Sequence, residues 1–220
     1  MIGLDLGVNN LITGANNNGN SFIIKGTPLK SINQYYNKKK SKIQTELETI
    51  NKRKSSKRLN KLTNKRNNKI NDYLHKASKK IIDYCLTNNI GKVIIGHNNN
   101  WKQNISIGKR NNQNFVQIPF NNLIDKLKYK CLLNNIECII TEESYTSKCS
   151  FLDNEPRQYS DSYLGRRVHR GLFKSNKGKL INADVNGAFN IIRKVIPTFN
   201  VHSLNYGIQD IAVYPTLIKV

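Results

Sequence analysis

Acidic side chains are scarce in this chain, and three groups of them sit where chemistry could use them. Asp5 stands in the apolar run Met1-Ile2-Gly3-Leu4-Asp5-Leu6-Gly7. Glu142 and Glu143 precede Ser144-Tyr145-Thr146-Ser147, and Asp184 lies in Asn182-Ala183-Asp184-Val185-Asn186-Gly187. The formal net charge is +22, from 36 Lys and Arg against 14 Asp and Glu. Carboxylates kept on apolar elements in so basic a chain point to divalent-metal ligands working on a polyanion. The chemistry that suits them is phosphodiester hydrolysis, in which two hard cations about 3.5–4 Å apart activate a water and hold the leaving oxygen. Plainer roles stay open for the same residues: a satisfied Asp at a strand edge, and an Asp that caps a helix or meets its dipole.

Such ligands need rigid elements to present them. Ile2, Leu4 and Leu6 alternate with Gly3, Asp5 and Gly7, the period of a strand, which sends Asp5 to the face opposite the leucines. Leu11-Ile12-Thr13 and Phe22-Ile23-Ile24 flank Asn16-Asn17-Asn18-Gly19-Asn20 and predict a hairpin, so the first three strands form an antiparallel meander. From about residue 28 to 90 the spacing turns helical: Ile43, Leu47 and Ile50, then Ile70, Tyr73, Leu74, Ala77, Ile81 and Cys85. This reads as two long helices joined near Ser55-Ser56. The join is dense in cations of one sign, among them Lys52, Arg53, Lys54, Lys57 and Arg58, and phosphate-backbone contact is expected there.

Lys92-Val93-Ile94-Ile95-Gly96 is a short buried strand. The polar stretch from Asn98 to Phe120, with Trp101, Lys102, Lys109, Arg110 and Gln113, reads as a surface loop or as a nucleic-acid contact. Pro119 opens a helix with Leu123, Ile124, Leu127 and Cys131 on one face, and Ile136 to Thr141 is a further strand. Ser147 to Lys179 is expected to be irregular, with Arg166, Arg167 and Arg170 clustered. Val185, Phe189, Ile192 and Ile196 then mark an amphipathic helix with Asp184 in its first turn. Three strands, a long basic helical insertion, strand, helix, strand, loop and helix is the order of an α/β, ribonuclease-H-like fold with a mixed sheet.

At 220 residues the chain fits one domain with an insertion. Its charge predicts nucleic-acid binding with strong salt dependence, by an enzyme or by a passive basic protein. No run of eighteen apolar residues and no leading signal segment is present, so no membrane partner and a cytoplasmic (in a bacterium, nucleoid-associated) location are expected. Cys85, Cys131, Cys138 and Cys149 form no C-x-x-C pair and read as reduced, mostly buried thiols. The abundance of Asn and Lys reads as compositional bias with little functional content.

The runs Gly3-Leu4-Asp5-Leu6-Gly7-Val8-Asn9-Asn10-Leu11, Glu143-Ser144-Tyr145-Thr146-Ser147-Lys148-Cys149 and Ala183-Asp184-Val185-Asn186-Gly187-Ala188-Phe189-Asn190-Ile191 resemble the C-terminal RuvC-like nuclease region of the TnpB family. These are transposon-encoded relatives of type V CRISPR effectors, often described as OrfB-type transposases. The resemblance implies a RuvC-like nuclease domain over residues 1–196 and a tail, 197–220, of no assigned role. It implies a Mg²⁺-dependent, RNA-guided DNA endonuclease holding two ions, with DNA and a guide RNA as partners. Asp5 and Asp184 match the first and third RuvC carboxylates.

Three departures from the family accompany it. Relatives usually carry the second catalytic Glu at the end of the strand that here reads Val93-Ile94-Ile95-Gly96-His97-Asn98, where this chain has no acid. Fanzor proteins and some TnpB relatives place a Glu just before a Thr-Ser pair instead; Glu143 matches that position, with Glu142 as second choice. The family's zinc ribbon is degenerate over about residues 147–180, where Cys149 survives and Ser175 and Gly178 lie near the second pair; zinc is not predicted, and the loop is expected to hold by other contacts. Relatives also carry an N-terminal guide-binding half, so a truncated reading frame or a separately encoded partner is expected. Two other classes compete: a nuclease-inactive nucleic-acid-binding remnant, and an actin-like ATPase, for which the required second phosphate loop is missing.

Overall fold

The computed structural model describes residues 1–50, 52–98, 113, 115–204 and 214–220. Three strands open the chain: β1 (Ile2–Leu6), β2 (Asn10–Asn16) and β3 (Ser21–Lys25). They pair antiparallel as the predicted meander, with Asp5 opposite Thr13 and Leu6 opposite Ile12. Two helices follow, α1 (Thr27–Ile50) and α2 (Lys57–Thr87). Their join falls where the sequence places it, because Ser56 adopts extended backbone and its side chain accepts from Leu59 N at 3.1 Å, capping α2.

β4 (Lys92–Gly96), α3 (Phe120–Leu133) and β5 (Glu137–Thr141) come next, and β4 and β5 join β1 in parallel. The main sheet runs β5-β4-β1-β2-β3-β9, where β9 (Thr216–Ile218) lies parallel to β3 at the far edge. This is the mixed ribonuclease-H-like sheet, with α1 and α2 as its basic helical insertion. Part of the segment after residue 196 thus belongs to the sheet, a role its two short apolar stretches do not announce.

Strand alternation divides the core. Ile2, Leu4 and Leu6 pack with Leu74, Ile81, Leu123 and Leu127 of α2 and α3 on one face of the sheet. On the other face Ile94 and Ala15 pack against α4 (Ala183–Val195) through Ala188, Ile191 and Ile192. Lys130 of α3 is buried yet satisfied: its Nζ donates to His75 O and Ser78 Oγ, both at 2.7 Å, and ties α3 to α2. The four cysteines are free, with Cys85, Cys131 and Cys149 buried. Among the described residues no helix is long and apolar enough to cross a membrane.

The stretch from Ser147 to Lys179 is more ordered than expected. β6 (Arg166–His169), β7 (Leu172–Lys174) and β8 (Leu180–Asn182) form a small antiparallel sheet. Its strands are three or four residues long and largely exposed, so they carry too little alternation to be read from sequence. Phe151, stacked on Phe189 of α4 with ring centroids 4.5 Å apart, seats the preceding loop.

Candidate active site

Asp5 projects from the middle of β1 toward α4, because its neighbours Leu4 and Leu6 turn to the opposite face. The first turn of α4 lies very close. A Cβ at Gly187 would stand 2.9 Å from Asp5 Oδ2, so only glycine lets the helix cover this carboxylate. Burial pushes the Asp5 carboxyl well above the usual carboxylate range. The charges of Asp184 and then Glu143 push it further, and Arg167 partly offsets them. Four groups distant in sequence therefore share one electrostatic site.

Asp184 lies in the first turn of α4 but does not cap it. Asn182 takes that role, accepting from Asp184 N at 3.0 Å and Val185 N at 3.2 Å. The Asp184 carboxylate is left to face the site, where Oδ2 accepts from Asn10 Nδ2 at 2.8 Å and Oδ1 lies 3.7 Å from Arg167 Nη2. Asp5, Asn10 and Asp184 line one cleft of about 170 Å³ with the Leu6–Asn10 turn.

Glu143 enters from the loop after β5. Its backbone N donates to Asn98 Oδ1 at 2.9 Å, and Thr146 Oγ1 donates to its carbonyl at 2.7 Å. Its Oε2 lies 2.9 Å from where a Cβ on Gly96 would stand. Gly96 ends β4, so Glu143 fills from the loop after β5 the space a larger residue there would take. Burial pushes its pKa to about 7. Glu142 is exposed.

Two buried asparagines hold this loop to α4. Asn186 Nδ2 donates to Cys149 O at 2.9 Å and its Oδ1 accepts from Phe151 N at 2.9 Å. Asn190 Nδ2 donates to Thr146 O at 3.0 Å and to Cys149 O at 2.8 Å. Both are fully buried. Their signal was present: four residues apart, they share the helix face of Val185 and Phe189.

The loop beyond is fastened without pairs of cysteines. Glu155 accepts from Ser150 N at 2.6 Å and Leu164 N at 2.8 Å, and Asp153 accepts from Ser150 Oγ at 2.7 Å and Asn176 N at 2.8 Å. Arg193 of α4 donates to Glu155 O at 3.0 Å and Asn154 Oδ1 at 2.7 Å.

Among the described basic candidates, Arg167 alone reaches the carboxylates; Arg166 on β6 and Arg170 in the turn after it are exposed. Lys52, Arg53, Lys54, Lys57 and Arg58 are exposed around the α1–α2 join, with Arg58 3.2 Å from Glu46. Trp101, Lys102, Lys109 and Arg110 lie outside the described residues.

The residues present fit Mg²⁺. Among the described residues no three His, Cys, Asp or Glu side chains close tightly enough to form a ready cage. Mg²⁺ does not need one, since it keeps several waters and binds through one or two carboxylates with substrate phosphates. Oxygen donors held close in a desolvated setting are the hard set it prefers, and a cation would offset both the burial and the like charges that raise the Asp5 pKa.

The mixed β5-β4-β1-β2-β3 sheet, with acids on β1, after β5 and in the first turn of α4, has the ribonuclease-H-like architecture. Residues 1–102 match the family model described as a probable transposase, OrfB of the IS605 type, and residues 120–191 match the Cas12f1-like TNB domain model. These two matches, each over less than half of the chain, support a TnpB-type, transposon-associated protein with Cas12f-like relatives. A cryo-EM structure of a Cas12f1–sgRNA–target DNA complex is similar at 20% identity and a TM-score of 0.63, over 87% of this chain and 49% of that one. A CRISPR–Cas12f ternary complex is similar at 18% identity and a TM-score of 0.65, over 87% of this chain and 38% of that one. The chain thus spans about half or less of the length of these structures. No curated protein matches it.

Proposed function

We propose that this chain is the DNA-cleaving, Mg²⁺-dependent endonuclease part of an RNA-guided, transposon-associated nuclease. The observation that carries the reading is the convergence of Asp5 on β1 and Asp184 on α4 in one cleft, with Glu143 lying over the end of the adjacent strand β4. In this reading Asp5, Glu143 and Asp184 would hold two Mg²⁺ ions, which would supply neutralising charge and lower the pKa of an attacking water. Asn10 orients Asp184 through its 2.8 Å hydrogen bond. Arg167, beside Asp184 but without a close ion pair at 3.7 Å, is placed to hold a non-bridging oxygen of the scissile phosphate. α4 and the loop pinned by Asn186 and Asn190 keep the carboxylates fixed while the strand is cut.

The test is cleavage of labelled single-stranded DNA by purified protein in Mg²⁺, beside Asp5→Ala, Glu143→Ala and Asp184→Ala. The expected result is Mg²⁺-dependent cutting that falls at least about a hundredfold in each variant. Cleavage that persists unchanged in all three would contradict the reading.

A further inference from the structure

The other layer of the molecule carries a second feature of nucleic-acid chemistry, remote from the carboxylates. α1 and α2 diverge to leave a groove of about 390 Å³, within the size range of small-ligand sites of about 300–1,000 Å³. Its walls are Tyr35 and Tyr36 from α1 and Lys65, Arg66 and Lys69 from α2; Leu62 adds apolar surface. No Asp or Glu lines it among the described residues. Tyr35 is 61% exposed, although a side chain of that size ordinarily gains by burial.

The groove is built rather than incidental. The Tyr36 hydroxyl hydrogen-bonds Thr63 Oγ1 at 3.1 Å, fixing its ring between the helices, and the Arg66 guanidinium sits 5.6 Å from the ring centroid. Arg66 is held by neutral acceptors only: Asn33 Oδ1 and Gln117 O, both at 2.8 Å, and Asn67 Oδ1 at 2.9 Å. Its charge is positioned without being neutralised. Lys39 Nζ lies 5.8 Å from the Tyr35 ring centroid.

We infer that this groove binds an unpaired nucleotide of a single-stranded nucleic acid, its base against the Tyr35 ring and its flanking phosphates on Lys65, Arg66 and Lys69. Aromatic faces interleaved with cations suit a base and its backbone together. A duplex hides the base faces that the tyrosine would meet. A free nucleotide would not use the cations that continue past the groove on both helices, Lys38, Lys40 and Lys42 on α1 and Lys57, Arg58 and Lys61 on α2. Because α2 packs on the sheet face opposite α4, the strand held here is an anchor and not the bond being cut. The inference rests on the nucleic-acid reading above and deepens it.

The test uses the full chain in a metal chelator, so that no strand is cut. The probes are 12-nucleotide DNA and RNA strands, each with a central 2-aminopurine, and a duplex of the same length without it. Wild type and Tyr35→Phe are expected to quench the 2-aminopurine. Tyr35→Ala is expected to lose the quenching and bind either single strand about tenfold more weakly, with duplex affinity unchanged. The tighter of the two strands identifies RNA or DNA as the ligand. Equal quenching and equal affinity in Tyr35→Ala would overturn the groove while leaving nucleic-acid binding intact. Failure of wild type to bind any probe would overturn both. Tyr35 is exposed, so all variants should share one melting temperature.

Discussion

At the scale of single residues, the site is a set of carboxylates kept at a cost. Asp5 and Glu143 both have pKa values raised by burial, Glu143 to about 7. A carboxyl whose folded pKa lies above its unfolded value contributes stability that is fully present below the unfolded pKa and lost as pH rises through the folded one. Metal-free protein should therefore lose melting temperature as pH rises from about 4.5 through about 7, the interval set by Glu143. Asp5→Asn should flatten part of that loss and raise the melting temperature above wild type at pH 8, while abolishing cleavage. Thermal scans across pH in a chelator check both, and a wild-type melting temperature that climbs over this interval would contradict them. Gly96 gives a second residue-scale prediction. In Gly96→Ala the new Cβ would meet Glu143 Oε2 at 2.9 Å and Ile191 Cδ1 at 2.5 Å. Overpacking of this kind costs about 1–3 kcal/mol, and the displaced Glu143 should lower cleavage about tenfold in a kinetic assay. Asp5 and Asp184 were legible from their setting in apolar strand and helix. Gly96 was legible only as a missing acid, since what fills its space comes from a loop over forty positions away.

At the scale of elements, α4 does most of the positioning. It carries Asp184 in its first turn, covers Asp5 through Gly187, and clamps the Glu143 loop through Asn186 and Asn190. Removing Asn190 takes the side-chain donor from Thr146 O and one of two donors from Cys149 O, which keeps Asn186, a loss of about 1–3 kcal/mol. Asn190→Ala, which serves two carbonyls, should thus destabilise the fold by that amount in denaturant titrations and cut more slowly than its stability loss explains. Ser56→Ala, at the start of α2, should cost about 1 kcal/mol through the lost cap and leave cleavage unchanged. The long helices and the meander were readable because their periodicity is sustained. The β6–β8 sheet was not, because its order comes from Glu155, Asp153 and Arg193 bonding to backbone groups, which leaves no hydrophobic pattern.

At the scale of the whole molecule, charge and layering divide the work. The carboxylates and Arg167 lie on the α4 side of the sheet, and the basic insertion lies with α2 on the other. With a net charge of +22, binding to single-stranded DNA should weaken steeply with salt, and the logarithmic slope should fall when Lys57 and Arg58 are both changed to Ala. Anisotropy titrations between 50 and 300 mM salt measure that slope; one that does not change on substitution would remove the α1–α2 join from the contact surface. The sheet edge at β9 shows the limit of reading by pattern: three residues pair with β3 through backbone bonds that their side chains do not encode.

The account stands most directly on whether the three acids form one cation site. Mn²⁺, used in place of Mg²⁺ for its EPR signal, can be titrated at pH 8 into wild type, Asp5→Asn, Glu143→Gln and Asp184→Asn. Wild type should take up two ions and each variant fewer or with much weaker affinity. Binding in the variants indistinguishable from wild type would mean that these carboxylates do not share a metal centre.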